Sequence, residues 1–269
     1  MRIATWNVNS IRTRSETVVR WCERNEVDVL AMQETKCTDD QFPVMSFLAA
    51  GYDVAFTGQG PFNGVAIASR VGLDDVEIGF EGQPRFPDGP SGIVEARAIS
   101  ARCDGVRVWS LYVPNGRTLD DPHYTYKLAW LDALHGLAAL WLAHDPAAEI
   151  AMAGDWNVAP TDTDVWDAAA FDGKPHVSEP ERAAVQAFRD AGFIDSALPY
   201  APGYTFWDYT ELRFPRNQGM RIDYILTSAA CEDRVRGAWV DREARKGKGA
   251  SDHAPVILEL TGGSGPVFR

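Results

Sequence analysis

Short apolar stretches rich in Val, Ile and aromatic residues punctuate the chain at residues 2–6, 27–32, 52–57, 65–69, 93–99, 106–113, 150–153, 222–226 and 256–260, and these nine read as β-strands. Helical spacing replaces that pattern in three places. Residues 11–24 form one such stretch. Residues 124–144 form the second, with Leu128, Leu131, Leu134, Ala138 and Trp141 on one face and Lys127 and Asp132 expected to point outward. The third opens at Ser178-Glu179-Pro180-Glu181, a capping box with proline in its first turn, and is stopped by Gly192. Strands that are partly adjacent and partly separated by helices predict an α/β fold of two packed sheets covered by helices, not a plain βαβ repeat. With no fixed-period repeat and no internal linker, residues 1–261 are expected to form one domain and 262–269 a flexible tail.

Composition narrows the function classes only a little. The 269 residues are 45% hydrophobic and 24% charged, a globular balance long enough to bury a core. No apolar run approaches the roughly 20 residues of a membrane span. The chain starts straight into a strand, without the basic and apolar regions of a signal peptide, so a cytoplasmic address and no membrane partner are expected. Cys22, Cys37, Cys103 and Cys231 are scattered, which suggests reduced thiols and no thiolate metal site. Net charge is −12, which by itself speaks against a nucleic-acid partner, but residues 205–250 carry nine basic against seven acidic groups. Whole-chain charge therefore does not choose the partner.

Carboxylates and amides recur where the strand-like runs end. After residues 150–153 comes Gly154-Asp155-Trp156-Asn157, where Asp155 and Asn157, two apart, share a face and Trp156 packs the other way. Asn7 and Asn9 bear the same relation around Val8. Glu34 ends the second strand, Asp223 starts the eighth, and Asp252-His253 precede the last, where Pro255 favours a loop that lets both turn inward. Oxygen ligands with one histidine and no cysteine suit a hard cation such as Mg²⁺ rather than zinc. Around a phosphodiester such a set would activate a water and stabilise the added negative charge. Any one of these residues alone reads equally as a turn, a cap, a surface charge or a satisfied core histidine. His123, His135, His144 and His176 read as ordinary.

Six segments taken in order resemble the exonuclease III family of abasic-site endonucleases: Trp6-Asn7-Val8-Asn9-Ser10-Ile11-Arg12, Gln33-Glu34-Thr35-Lys36, Tyr112-Val113-Pro114-Asn115-Gly116, Gly154-Asp155-Trp156-Asn157, Arg221-Ile222-Asp223-Tyr224 and Ser251-Asp252-His253-Ala254-Pro255. The resemblance spans residues 2–260. It implies the deoxyribonuclease-I-like fold, a four-layer α/β sandwich in which two mixed sheets are flanked by helices. By the same resemblance, Asn7, Glu34, Asp155, Asn157 and Asp252 surround the metal, Mg²⁺ with Mn²⁺ as a substitute. Asp155 is the acid/base for the attacking water, Asn157 steadies the transition state, Tyr112 and His253 meet the scissile phosphate, and Asp223 orients His253. Asn9 stands where part of the family has Asp and is left out of the ligand set.

Substrate choice rests on residues 204–209 and 217–222. By resemblance, Phe206, Met220 and Ile222 line an apolar slot for a flipped sugar without its base, and Trp207 packs alongside, a position equally open to the core. Such a nucleotide has little stacking to lose on leaving the helix. Met220 stands where some members have Trp, a softer wall. Asn115 and Arg216 join the substrate contacts, and Arg213, Arg221, Arg245, Lys246 and Lys248, with Arg12, Lys36 and Arg117, are expected to form a phosphate-contacting rim. The implied activity is cleavage 5′ to an abasic site in duplex DNA, leaving a 3′-hydroxyl, with 3′→5′ exonuclease action on blocked 3′ ends, by a monomer. Two rivals stand beside it. A phosphoesterase for lipid or inositol head groups would need a basic pocket, and a silent DNA-binding module could dispense with Glu34, Asp155 and His253.

Overall fold

Along β1 (Arg2–Asn7) every residue after Arg2 is buried. Neighbouring side chains join different cores: Ile3 packs with Val29, Val108 and Ile225, whereas Ala4 and Trp6 pack with Val18, Trp21 and Cys22. A strand that is dry on both faces must lie between two other layers. The computed structural model describes residues 1–87, 89 and 91–262, so the expected tail beyond Gly262 falls outside the described residues.

The remaining elements follow in order: α1 (Ser15–Arg24), β2 (Val29–Gln33), α2 (Val44–Leu48), β3 (Asp53–Thr57), β4 (Val65–Ser69), β5 (Asp74–Ile78), β6 (Ala98–Cys103), β7 (Val106–Tyr112), α3 (Pro122–His144), β8 (Ile150–Asp155), α4 (Glu179–Asp190), β9 (Ile194–Asp195), β10 (Asp223–Thr227), α5 (Ala229–Glu232), β11 (Val235–Val240) and β12 (Val256–Leu260). One sheet has the order β11-β12-β1-β2-β4-β3 and the other β5-β6-β7-β8-β10-β9. Each is antiparallel except for one central parallel pair, β1 with β2 and β7 with β8. Parallel neighbours need a long crossover, which α1 and α3 supply.

The sheets pack face to face, β1 across from β8 and β2 across from β7. α1 and α2 cover one outer face; α3 and α4 cover the other, where Trp109, Leu111 and Met152 meet Trp130, Leu134 and Phe188. This is the expected four-layer sandwich. The four cysteines are free and buried. No helix among the described residues is long and apolar enough to cross a membrane.

Where the structure differs from the expectation, exposure is the usual reason. The strand expected at 93–99 begins at Ala98 and continues to Cys103, because Ile93 is more than half exposed and makes only an isolated bridge to Phe86. It ends in a two-residue hairpin, with φ of 45° at Asp104 and 87° at Gly105, closing Cys103 onto Val106. Strands β5, β9 and β11 escaped the apolar pattern because all three are sheet edges, and β5 is exposed throughout. The capping box at Ser178 and Glu181 is present, and Gly192 follows the helix end with a φ of 107°. Lys127 is the main reversal: expected to face solvent, it is wholly buried and paired with Glu181, because α4 packs across that face of α3.

Candidate active site

The chemistry gathers at one end of the sandwich. Asn7, Glu34, Tyr112 and Asp155 stand at the carboxyl ends of the two central parallel pairs, the position where open α/β sheets bind ligands. Asp223 begins β10 directly opposite Asp155. The loop before β12 is drawn in by the Trp6 indole, which donates to the His253 carbonyl at 3.1 Å, and by a bridge between Phe206 and His253. Four residues here, Asn9, Glu34, Lys36 and Asn157, hold left-handed φ values between 43° and 53°. Each such residue costs about 1 kcal/mol or more. Backbone bonds from Ser10 N to Glu34 O (2.7 Å), Thr35 N to Gly64 O (3.1 Å) and Lys36 N to Asn63 O (3.0 Å) hold three of them in place.

Side chains then form one connected network. Asn7 Nδ2 donates to Glu34 Oε1 (2.8 Å) and Asp155 Oδ2 (2.9 Å), so it faces the carboxylates with its nitrogen and orients them. Tyr112 donates to Glu34 Oε1 at 2.9 Å, and Lys36 Nζ lies 2.6 Å from Glu34 Oε2. Asp155 Oδ1 accepts from Asn157 N at 3.0 Å, which fixes the carboxylate from its own loop. Asn115 Nδ2 donates to Asn157 Oδ1 at 3.2 Å, and Asn157 Nδ2 donates to Val113 O at 2.9 Å. Asp252 Oδ1 accepts from Asn9 Nδ2 at 3.0 Å. His253 Nδ1 meets Asp223 Oδ2 at 2.8 Å and its Nε2 lies 3.8 Å from Asp155 Oδ2.

The electrostatics follow from burial and from this crowd of acids. Burial, and then the charge of Asp223, push Asp155 up to about 7. Burial alone would depress His253, but Asp223 and Asp155 outweigh it and raise the imidazole to about 10. Burial would raise Glu34, yet the Lys36 ammonium holds it below the usual carboxylate range. Burial and the charge on Glu34 push the Tyr112 hydroxyl well up, so it stays a donor. At neutral pH the pocket therefore offers a carboxylate able to accept a proton and an imidazolium able to donate to a phosphate oxygen.

One oxygen each from Glu34 and Asp155 and a ring nitrogen of His253 lie within 4.8 Å of one another. Asp223 Oδ1 is buried with no hydrogen-bond partner. Hard oxygen donors with excess negative charge fit a divalent cation, and Glu34 and Asp155 are the residues placed to hold it, with Asp252 on the same pocket wall. Once bound, the cation supplies positive charge to the phosphate oxygens.

A pocket of about 220 Å³ joins this polar set to Phe206, Met220 and Ile222, and it also contains Tyr112, Asn115 and Asn157. The three apolar residues form a small cluster with Ala159 and Val165. A wider groove of about 580 Å³ continues from it, sharing Asn115, His176, Phe206 and Met220 and reaching Arg117, Lys174 and Arg213. Trp207 lies below these surfaces, 1% exposed, with its indole on Asn217 Oδ1 at 3.3 Å and its ring edge-on to Phe214. Arg216 is exposed and lines neither cavity.

Two members of the expected rim belong to the interior. Arg221, 2% exposed, bonds Asp164 at 2.5 Å and Asp195 at 2.7 Å. Arg245 donates to the Trp207 carbonyl and lies over the Tyr209 and Phe214 rings. His176 was missed in the other direction: read as ordinary, it lines the pocket with Nδ1 2.6 Å from Asn157 O. It sits in an irregular segment two residues before a capping box, where no periodicity marks it. Burial, and then the nearby Lys127 charge, depress it to about 4, so its ring is neutral.

Comparison with known proteins finds several that resemble the chain over nearly its whole length. The sequence profile of the Endonuclease/Exonuclease/phosphatase family matches residues 4–253. An exodeoxyribonuclease of Bacillus subtilis is 27% identical over 266 residues, covering 96% of this chain and 98% of its own. The 3′ phosphatase NExo of Neisseria, solved with a product DNA hairpin, superposes with a TM-score of 0.89 at 36% identity, covering 97% of this chain and 99% of that one. An AP endonuclease from Archaeoglobus fulgidus gives 0.89 at 34% identity, with the same two coverages.

Proposed function

The chain belongs to the endonuclease/exonuclease/phosphatase family and is a nuclease that hydrolyses phosphodiesters with a divalent metal, and from that premise we propose that it is a Mg²⁺-dependent DNA-repair enzyme that cuts 5′ to abasic sites in duplex DNA and clears blocked 3′ ends. The observation that carries this reading is the apolar wall of Phe206, Met220 and Ile222 set directly against the carboxylates and imidazole of the hydrolytic pocket. A sugar stripped of its base offers that wall an apolar face while its phosphate reaches His253 and Tyr112. A head group bristling with hydroxyls or phosphates would turn them onto Phe206, Met220 and Ile222, whose side chains donate no hydrogen bond, so the lipid and inositol alternative is not favoured.

In the proposed reaction Asp155 accepts the proton of the attacking water, held in line by Asn7 and by Asn157 N. His253, steadied by Asp223, donates from Nε2 to a phosphate oxygen. Asn157 and Tyr112 flank the charge that develops on phosphorus. Asn115 Nδ2 donates to Asn157 Oδ1 and supports that amide at the pocket wall. Monomeric action and a cytoplasmic address belong to the same proposal; four buried free thiols are compatible with a reducing compartment.

A second reading, weighted toward 3′-end processing, is favoured by the likeness to the 3′ phosphatase NExo and by His176, whose ring lines the pocket beside Phe206 and Met220. The experiment that separates them offers three duplexes, one with a synthetic abasic analogue, one undamaged and one with a 3′-phosphate, in Mg²⁺ and then in EDTA. A single Mg²⁺-dependent cut 5′ to the analogue supports the abasic assignment. Removal of the 3′-phosphate without that cut would replace it by end processing, and binding without turnover in any metal would revive the silent-binder rival.

A further inference from the structure

The fully buried Lys127 is used by none of the steps above, yet it reaches the loops that carry them. Its Nζ donates to the carbonyls of Asn157 (2.6 Å) and Asn115 (3.3 Å) and pairs with Glu181. Glu181 in turn accepts from His176 N at 3.0 Å and, through its other oxygen, from Ser178 N and Oγ at the start of α4. One ammonium thus ties together the loop after β7, the loop after β8 and the segment before α4. Those three stretches supply Asn115, Asn157 and His176 to the pocket wall.

Stability alone gives no reason for this arrangement. Burying an ammonium and a carboxylate costs several kcal/mol in desolvation, and apolar side chains of similar volume commonly hold two helices together as well or better. What apolar groups cannot provide is a point donor aimed at two carbonyls on different loops. Asn157 needs that anchor, because its backbone is left-handed (φ 51°) and its carbonyl accepts from both Lys127 and His176. The methylene stem is also tightly placed: a Cβ on Gly116 would lie 3.3 Å from Lys127 Cδ.

We propose that Lys127, with Glu181 as its counter-ion, is a positioning residue for hydrolysis, holding Asn157 and Asn115 by their carbonyls so that their side-chain amides stay bonded to each other and to Val113 O at the pocket wall. This rests on the hydrolytic reading of that pocket. The test is the charge-free double variant Lys127→Met/Glu181→Leu, compared with wild type and with Lys127→Met, which leaves Glu181 unpaired. Three quantities are measured: melting temperature, kcat and KM for nucleotide release from undamaged duplex DNA, and the side-chain NH₂ signals of Asn115 and Asn157 in ¹H–¹⁵N spectra. The double variant should melt within about 5 °C of wild type, while kcat falls roughly 30- to 100-fold at nearly constant KM, the loss expected of sub-ångström misplacement. Both amide signals should shift or broaden while the rest of the spectrum stays in place. A folded double variant with kcat within about threefold of wild type, or unmoved amide signals, would overturn the proposal, and so would a double variant that fails to fold. If wild type releases no nucleotide, the functional reading is what has failed, and the amide signals still decide the role of Lys127.

Discussion

Arg221 and Asp223 are two residues apart, yet they belong to buried charge clusters of opposite character. Arg221 and Arg189 face Asp164 and Asp195, two cations against two carboxylates. Around Asp223 lie Asp155, Glu34 and Asp252, four carboxylates met by one imidazole and the Lys36 ammonium, which leaves two negative charges in excess. Both clusters are largely buried, Arg221, Asp195, Asp155 and Asp223 almost completely, so burial does not separate structure from function here. Balance does: a neutralised cluster needs nothing more, whereas an excess of two negative charges in a low-dielectric pocket is the condition that a divalent cation and a water-activating base exploit.

The comparison is broken most sharply by removing one member from each side. Asp155→Asn keeps size and fold but removes the proton acceptor, so turnover should drop by roughly a thousandfold while the melting temperature is kept or raised; cleavage assays beside thermal melts check this, and residual activity within tenfold of wild type would assign the base elsewhere. Arg221→Met should do the reverse. It strands Asp164 and Asp195 without their counter-ion and should cost about 3–5 kcal/mol of stability in a denaturant titration, while the fraction that stays folded keeps most of its activity.

A smaller effect distinguishes the clusters by pH. His253 is raised when folded from an ordinary 6.5 to about 10, so the stability it contributes is complete below pH 6.5 and is lost as pH rises through 10. Asp155, raised from 3.8 to about 7, acts in the same sense, its contribution complete below 3.8 and lost as pH rises through 7. In EDTA the melting temperature should therefore fall progressively from about pH 5 to pH 10. Asp155→Asn should flatten the lower part of that profile, and Arg221→Met should keep the fall toward pH 10 that His253 supplies, because it leaves the His253–Asp223 pair in place. A flat profile in the wild-type chain would refute the charge excess. The smallest expected change is at the exposed rim: Arg216→Glu should weaken binding to duplex DNA and reduce the log–log salt slope by about one, and an unaltered slope would remove Arg216 from the DNA contacts.

Much of this molecule was legible in its amino acids. Central strands read clearly because both faces of β1 and β8 are buried, which concentrates Val, Ile, Ala and Met into short runs. The site residues were legible as a set because chemistry confines them to strand ends and because six segments occur in a known order; the structure brings Asn7, Glu34, Tyr112, Asn115, Asp155, Asn157, Asp223, Asp252 and His253 to one end of the sandwich. Of the four edge strands only β3 was legible; β5 is exposed throughout and has just Val76 and Ile78 as apolar residues, too short a pattern to mark it.

Sequence by itself thus determined the layers, the set of polar residues at the strand ends and the apolar character of Phe206, Met220 and Ile222, because periodicity and residue type are local properties. Only the tertiary structure decided which charges are free to meet a substrate. Lys127, Arg221 and Arg245 have the same formal charge as Arg117, Lys174 and Arg213, yet the first three are buried and bound within the protein while the others line the groove. His176 likewise became part of the pocket only when α4 packed on α3. The role of a charged side chain is set by the partners that long-range packing brings to it, and no periodicity in the chain records those partners.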